Sequence, residues 1–425
     1  MTSRARNTVE VLYISSAPSP DEFARMKQLV REGSQTATYG MPEASFKFHT
    51  LVQEGLTRVQ GCHVYSVVGR AVAPALHRGR FWPRRSEHRS PNHVIDHMAF
   101  PNVALAKQGT ASLALYWRTL LWRWRTRKAP TRLMILDGAY VTAMPAPLAA
   151  LVGARVARVG IFCDLYSYMA DVADASHRDV GVVHKIARRV VAACVSRLDA
   201  FVVLTPHMTD VLPVGHRPSI VMEGLVSEDP HHGEPGAKSE SPTVLYAGAL
   251  RKEYGLEDLV VGFQQWDHAT ARLIIYGDGD YAEELREIAR ADPRVQFHGP
   301  RPLDFVMAEE RRAWLLVNPR PIDQEFTKYS FPSKNMEYLA SGTPVVTTRL
   351  PGMPAEYYDH VLTIDQPGPE GVRLALGAAF ASTLEELNAR GAAGRAFVLQ
   401  HKNNVTQARR IVALADEVIG RARRP

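Results

Sequence analysis

Lys334 and Glu337 stand three positions apart at the start of the stretch FPSKNMEYLASGTPVVTTRLPGMP, Phe331 to Pro354. On a helix that spacing puts them on one face. A helix N-terminus carries free N–H groups and the positive end of the dipole, which suits a phosphate. Lys334 beside it would bind a leaving diphosphate. Glu337, one turn in, would accept bonds from two ribose hydroxyls. The residues alone leave open a solvated first-turn lysine and a carboxylate that only complements the dipole.

Two further loops supply groups of the same kind. In 248–255 they are Gly248, Arg251, Lys252 and Tyr254, and in 277–280 they are Gly277 and Asp278. Glycine lets backbone approach a phosphate, and the cations neutralise it. The third loop, 331–335, holds Pro332, Ser333, Lys334 and Asn335, and Arg320 follows Asn318-Pro319. Each loop alone is a weak signal. Together they describe a pocket for a nucleoside diphosphate. In the first half Asp164 ends the run RVARVGIFCD, where it either faces a ligand edge or caps the next turn. No P-loop, G-x-G-x-x-G, H-E-x-x-H or G-x-S-x-G is present. The D-x-D of Asp278 and Asp280 reads as a close-approach turn, and no metal site is expected.

The elements that must position these groups alternate strand and helix, the mark of a parallel sheet. Ser333 reads as an N-cap, Asn335 to Ala340 as helix and Ser341-Gly342-Thr343-Pro344 as its stop. Strands are expected at Val9 to Ser15, Cys62 to Val68, Leu133 to Leu136, Val156 to Phe162, Asp199 to Thr205, Val244 to Ala247, Leu273 to Tyr276, Val295 to His298, Trp314 to Asn318 and Val345 to Thr348. Helices are expected at Ala44 to Leu56, Val183 to Ser196, Leu256 to Phe263, Ala282 to Ala291 and Asn403 to Arg423. Residues 226 to 242 read as a linker, where His231 and His232 are solvated. The expected division is 1–215, 216–402 and a closing helix, 403–425, that returns to the first domain.

The chain has 425 residues and a net charge of +7, so two to three domains and an anionic partner are expected. Three unpaired-looking cysteines point to a reducing cytoplasm. No signal peptide and no charge-free stretch of about 18 residues is visible. Residues 69 to 92 read as an irregular basic loop, either solvated or touching an anionic acceptor or lipid. In Leu113 to Lys128, Leu113, Trp117, Leu120, Leu121 and Trp124 share a face flanked by Arg118, Arg125 and Lys128. That pattern suits a membrane interface, or a crossover helix packed on the sheet. Nucleic-acid binding has only the charge in its favour, and no motif.

FPSKNMEYLASGTPVV resembles the signature of retaining GT-B glycosyltransferases of the glycosyl transferase group 1 (family four) class. YAGALRKEYGLEDLVVGF, IIYGDGD, VQFHGPRP, LLVNPRP, LDAFVVLTPHM and IVMEGLV extend the resemblance over most of residues 155 to 400. It implies two Rossmann-like domains facing a cleft, with acceptor bound in the first and nucleotide-sugar mainly in the second. It implies no metal and no cofactor, the nucleotide-sugar being a substrate. Glu337 matches the glutamate that holds the ribose. The family's other glutamate falls at Tyr329, and its diphosphate-loop arginine and lysine fall at Ala249 and Tyr254. The substitutes are Arg251, Lys252, Arg320 and Lys334, and Asp164 takes the place of the first domain's polar residue. An FPSK-motif subgroup shares these departures. The expected reaction moves a sugar from UDP, or GDP, to a lipid-linked or polysaccharide acceptor. A catalytically silent nucleotide-sugar-binding protein is the alternative.

Overall fold

The structure is a computed structural model that describes residues 8–33, 43–69, 80–103, 106–138, 140, 143, 145–151, 155–165, 189, 191–228 and 236–423. The chain forms two units, Met1–Met222 with Asn404–Pro425, and Glu223–Asn403.

The first unit is built on β1 (Val9–Ser15), β2 (Cys62–Val68), β4 (Arg85–Ser90), β5 (His93–His97), β7 (Thr131–Asp137), β8 (Ala157–Phe162), β9 (Ala200–Val203) and β10 (Ser219–Val221). Their order in the sheet is β10-β9-β8-β7-β1-β2-β5-β4. All neighbours are parallel except β4, which runs antiparallel to β5. A short antiparallel pair, β3 (Phe81–Trp82) and β6 (Phe100–Pro101), stands beside it. Leu12, Tyr13, Ile14 and Leu133 to Leu136 are fully buried, as strands covered on both faces must be. Helix Glu43–Arg58 covers one face with Phe48, Val52 and Leu56, and the last helix, Asn404–Arg423, packs against it.

The basic stretch after residue 80 is therefore not an irregular loop. Arg85–Ser90 is an edge strand, and its arginines have structural partners. Arg84 pairs with buried Asp96 at 2.8 Å, Arg85 with Glu22 at 3.4 Å and Arg89 with Asp21 at 2.8 Å. Residues 70–79, His231, His232 and most of Val183 to Ser196 lie outside the described residues.

The second unit has a six-stranded parallel sheet, in the order β13-β12-β11-β14-β15-β16. The strands are β11 (Thr243–Ala247), β12 (Arg272–Tyr276), β13 (Val295–Phe297), β14 (Leu315–Asn318), β15 (Val345–Thr348) and β16 (Leu362–Ile364). Helices Leu256–Gln265 and Gly368–Phe380 cover one face, with Leu259, Phe263, Val372 and Leu376 inside. Helices Ser333–Ser341 and Leu384–His401 lie on the other, with Tyr338, Leu339, Phe397 and Val398 inside. Near the two crossings between units, buried Lys402 is ion-paired with buried Glu223 and lies 2.5 Å from Glu356 Oε1. Tyr357 Oη donates to Glu223 at 2.6 Å, so the buried carboxylate has two partners.

Candidate active site

In an open α/β sheet, ligands bind beyond the carboxyl ends of the strands where the strand order reverses. In the second unit that point lies between β11 and β14, which are neighbours although β12 and β13 intervene in sequence. The loops leaving them carry Gly248 to Gly255 and Pro319-Arg320.

Helix Ser333–Ser341 is fixed there by polar anchors. Tyr338 is fully buried, and its hydroxyl accepts from Ala247 N–H at 2.9 Å and donates to Ala247 O at 3.2 Å. Burial, with Glu310 nearby, pushes this phenol well above its ordinary range, so it stays protonated and able to donate. Asn335 is also fully buried. It accepts from Asn318 Nδ2 at 2.7 Å and donates to Thr347 Oγ1 at 3.2 Å, tying β14, β15 and the helix together. Asn335 is thus a strut and does not face a ligand. Ser333 does not cap the helix either. The N-cap is Pro332, extended at φ −70° and ψ 105°, and it has no side-chain acceptor to offer. Gly342 ends the helix at φ 80°, as the sequence indicates.

The anchored helix holds Lys334 and Glu337 at the surface, where they keep 33% and 24% of their side-chain exposure. Lys334 Nζ lies 3.3 Å from Glu337 Oε2, a pair that contributes little to stability but orients both groups. The Lys334 stem passes over Gly248, where an added Cβ would sit 3.3 Å from Lys334 Cε.

Arg320 completes the group. Its guanidinium lies over the Tyr254 ring at 4.5 Å and faces Phe326 at 5.9 Å. Among the described residues it makes no hydrogen bond and no ion pair, and Glu253 acts on it only through space. Burial pulls this guanidinium below its usual range. A partly desolvated charge packed on aromatic faces has the chemistry to receive an anion.

The glycines also let the loops approach one another. Gly277 has φ +141°, and a Cβ there would lie 1.8 Å from Gly248 O. Gly255, at φ +78°, would put a Cβ 2.0 Å from Pro319 O. Both let neighbouring loops meet backbone to backbone, which brings Gly248, Tyr254, Arg320 and Lys334 together.

Other expected residues are directed elsewhere. Arg251 pairs with Glu253 at 2.8 Å and Lys252 with Glu284 at 2.6 Å, both on the solvent side. Asp278 accepts from Gly279 N–H at 2.9 Å and closes its own turn. Tyr329 ends the short 3-10 helix Glu325–Lys328. Asp164 belongs to the first unit, exposed just after β8.

The first unit's reversal lies between β1 and β7. There Asp137, fully buried, accepts from Ser16 N–H at 3.2 Å and from Ser16 Oγ at 3.1 Å. His49 Nε2 lies 3.3 Å from Asp137, and His49 Nδ1 is 2.6 Å from Tyr13 Oη. Cys163 Sγ approaches His49 at 3.9 Å, and burial, with Asp137 nearby, holds its thiol well above the usual range. The sequence places Asp137 after a strand at a ligand edge, but not the residues that surround it. The signal for the network was a polar residue inside each of three apolar runs, VEVLYIS, FHTLV and LMILD. A polar cavity of about 310 Å³ lies nearby, lined by Ser19, Thr50, Gln53, Arg58, Arg89 and His93 among others. Gln53 is 4% exposed and its Oε1 has no partner among the described residues.

Residues 241–386 match the family described as glycosyl transferases group 1. No curated protein matches the chain. Among solved structures it is similar to sucrose-phosphate synthase from Thermosynechococcus elongatus, at 15% identity and a TM-score of 0.60, over 98% of this chain and 100% of that one. The lipopolysaccharide outer core galactosyltransferase WaaB, apo form, gives 13% and 0.57 over 96% and 99%. Anabaena HepE in complex with UDP gives 14% and 0.56 over 97% and 100%. At these identities the likeness is one of fold, the GT-B arrangement of Rossmann-like domains. The chain therefore has the GT-B fold almost throughout, and its residues 241–386 match the glycosyl transferases group 1 model.

Proposed function

We propose that this protein is a retaining, metal-independent glycosyltransferase that takes its sugar from a nucleoside-diphosphate donor, UDP rather than GDP. The observation that carries the reading is Arg320. It is a partly desolvated guanidinium that makes no ion pair or hydrogen bond among the described residues, beyond the carboxyl end of β14 and inside the stretch that matches the group 1 model. Lys334 and Glu337 are exposed on the helix anchored beside it.

In this reading Arg320 and Lys334 hold the diphosphate, and Glu337 holds the ribose. As the glycosidic bond breaks, charge grows on the departing phosphate, and the two cations stabilise it more in the transition state than before. The acceptor hydroxyl attacks from the leaving-group face and the phosphate takes its proton, so configuration is retained. The acceptor is a lipid-linked or polysaccharide hydroxyl in cell-surface glycan synthesis, assigned to the first unit with Asp164 as its polar partner. The polar cavity there, with the unpartnered Gln53 Oε1, is suited to hydroxyl donors. UDP is favoured because a protein of similar fold was solved with UDP. The protein is assigned to the cytoplasm, peripheral on the inner face of the cell membrane.

The test is calorimetry and turnover against a panel of UDP- and GDP-sugars, with and without chelator. The expected result is saturable binding of one UDP-sugar and chelator-insensitive release or transfer of its sugar. Glu337→Ala should weaken that binding at least about tenfold, the scale of a lost pair of hydrogen bonds to a charged group. Binding with no turnover on any acceptor would favour the silent alternative, which Tyr329 in place of a glutamate motivates. No binding at all would overturn the reading.

A further inference from the structure

Helix Ala106–Arg125 has two apolar faces where a surface helix needs one. Ala111, Leu115 and Trp122 are buried in the first unit. Leu113, Trp117, Leu121 and Trp124 stand 60%, 62%, 44% and 63% exposed. At 100° per residue these four span an arc of about 80°, along about 16 Å of helix. Leu148 and Leu151, at the short helix that packs against this one, are exposed as well.

The charge around the stripe has one sign. No acidic residue occurs between Asp96 and Asp137. Arg125, Arg127 and Lys128 are exposed where the helix ends. Arg127 lies over the Trp124 ring at 4.9 Å and donates to Trp124 O at 2.9 Å, so cation and indole form one unit. Arg118, which flanks the same face in sequence, is instead ion-paired with buried Asp96. The surface is therefore a contiguous exposed apolar stripe with a cationic end, the kind of patch that marks an interaction site. Among the described residues no helix is long and apolar enough to cross a membrane.

We propose that this face docks the protein on an anionic lipid bilayer. Trp117 and Trp124 would sit at head-group depth, Leu113 and Leu121 at the acyl boundary, and Arg125, Arg127 and Lys128 against lipid phosphates. A soluble partner would need an acidic surface with an apolar groove. A bilayer of anionic lipid presents both features in one plane. The proposal rests on the glycosyltransferase reading only for its purpose, which is access to a lipid-linked acceptor.

The test is co-sedimentation of the full chain with vesicles of phosphatidylcholine, alone or with one-third phosphatidylglycerol. The anionic vesicles should capture the protein and the neutral ones should not. Trp117→Ser/Trp124→Ser should weaken capture at least about tenfold. Arg125→Glu/Arg127→Glu/Lys128→Glu should weaken it about 10²-fold or more, since each cation near an anionic surface contributes about a factor of five. All five positions are exposed, so melting temperatures should not move. Unmodified protein gives a second readout, because brominated acyl chains should quench its tryptophan fluorescence. Equal capture of the Trp117/Trp124 variant, capture indifferent to lipid charge, or absence of quenching would each overturn the proposal. So would a dimer in sedimentation velocity that the same variant abolishes, since a second copy would then cover the face. Donor binding measured without vesicles is untouched by these outcomes, so failure here and failure of the transferase reading are separable.

Discussion

The two units have the same kind of sheet and the same kind of reversal, yet they use it in opposite ways. Between β1 and β7 the position is filled from within. Fully buried Asp137 supplies the anion, with buried His49 and Tyr13 and half-buried Ser16 around it. Between β11 and β14 Arg320 makes no ion pair among the described residues, and Lys334 and Glu337 remain partly exposed. Backbone topology thus offers a ligand position in both units, and side chains decide whether protein or ligand occupies it. The first position contributes to stability. In the proposed reading the second gives up stability by desolvating a cation and regains it when an anion arrives.

The largest effect that could break this contrast is at Asp137. Asp137→Ala leaves the Ser16 N–H, the Ser16 hydroxyl and the His49 ring short of a partner, at a cost of about 3 kcal/mol or more. Proteolysis or hydrogen exchange resolved on the first unit is the measurement, because a two-unit chain need not unfold in one step. Donor affinity should be unchanged. A variant of normal stability with lost turnover would show the first position to be a reaction site as well. Next is Arg320→Ala, which should lower turnover about 10²-fold or more while the second unit melts at an equal or higher temperature. Arg320→Lys should not restore it, because a lysine lacks the planar face that lies on Tyr254. A stability loss without a turnover loss would make Arg320 a structural cation.

Those paired predictions were only half legible in the sequence. Periodicity located β1, β2 and β15 to the residue, because β-branched and apolar runs have few other uses. It missed β5, whose HVIDH buries two histidines and an aspartate, and β4, whose RSEHRS is polar throughout. Such strands are set by their partners' register, which no local window contains. The site divides in the same way. Lys334 and Glu337 follow from helix spacing. The desolvation of Arg320 depends on Tyr254 and Phe326, and the burial of Asn335 on Asn318 and Thr347, contacts that only the folded chain creates.

A smaller effect separates the units by pH. Burial, with Arg89 nearby, lowers His93 from 6.5 to about 4, and its Nε2 lies 3.1 Å from Ser66 Oγ. Between those values the unfolded chain takes a proton that the folded unit refuses. Stability is therefore fully present above pH 6.5 and is lost as pH falls towards 4, by about 1.4 kcal/mol per pH unit at most. In His93→Gln the first unit should show a correspondingly flatter acid limb, and the second unit should be unaffected. An unaltered slope would mean that His93 titrates normally and that the cavity beside it is open to water.

The smallest effect tests whether position or charge makes the second site. Arg251 and Lys252 are cations on the same loop as Tyr254, and composition alone ranks them with Arg320. Each instead ends on a solvent-side carboxylate, Glu253 for one and Glu284 for the other. The hydrogen bond to Glu284 also raises Lys252 above the ordinary lysine range. Exposed pairs of this kind contribute little, and a cation already satisfied in water gains little from a phosphate. Lys252→Ala should therefore leave turnover within about twofold and donor affinity nearly unchanged, as measured beside Arg320→Ala in one assay. If Lys252→Ala instead matched the Arg320 loss, the loop would have to rearrange on binding, drawing Lys252 off Glu284. The open position between β11 and β14 would then be assembled by the donor instead of standing ready for it.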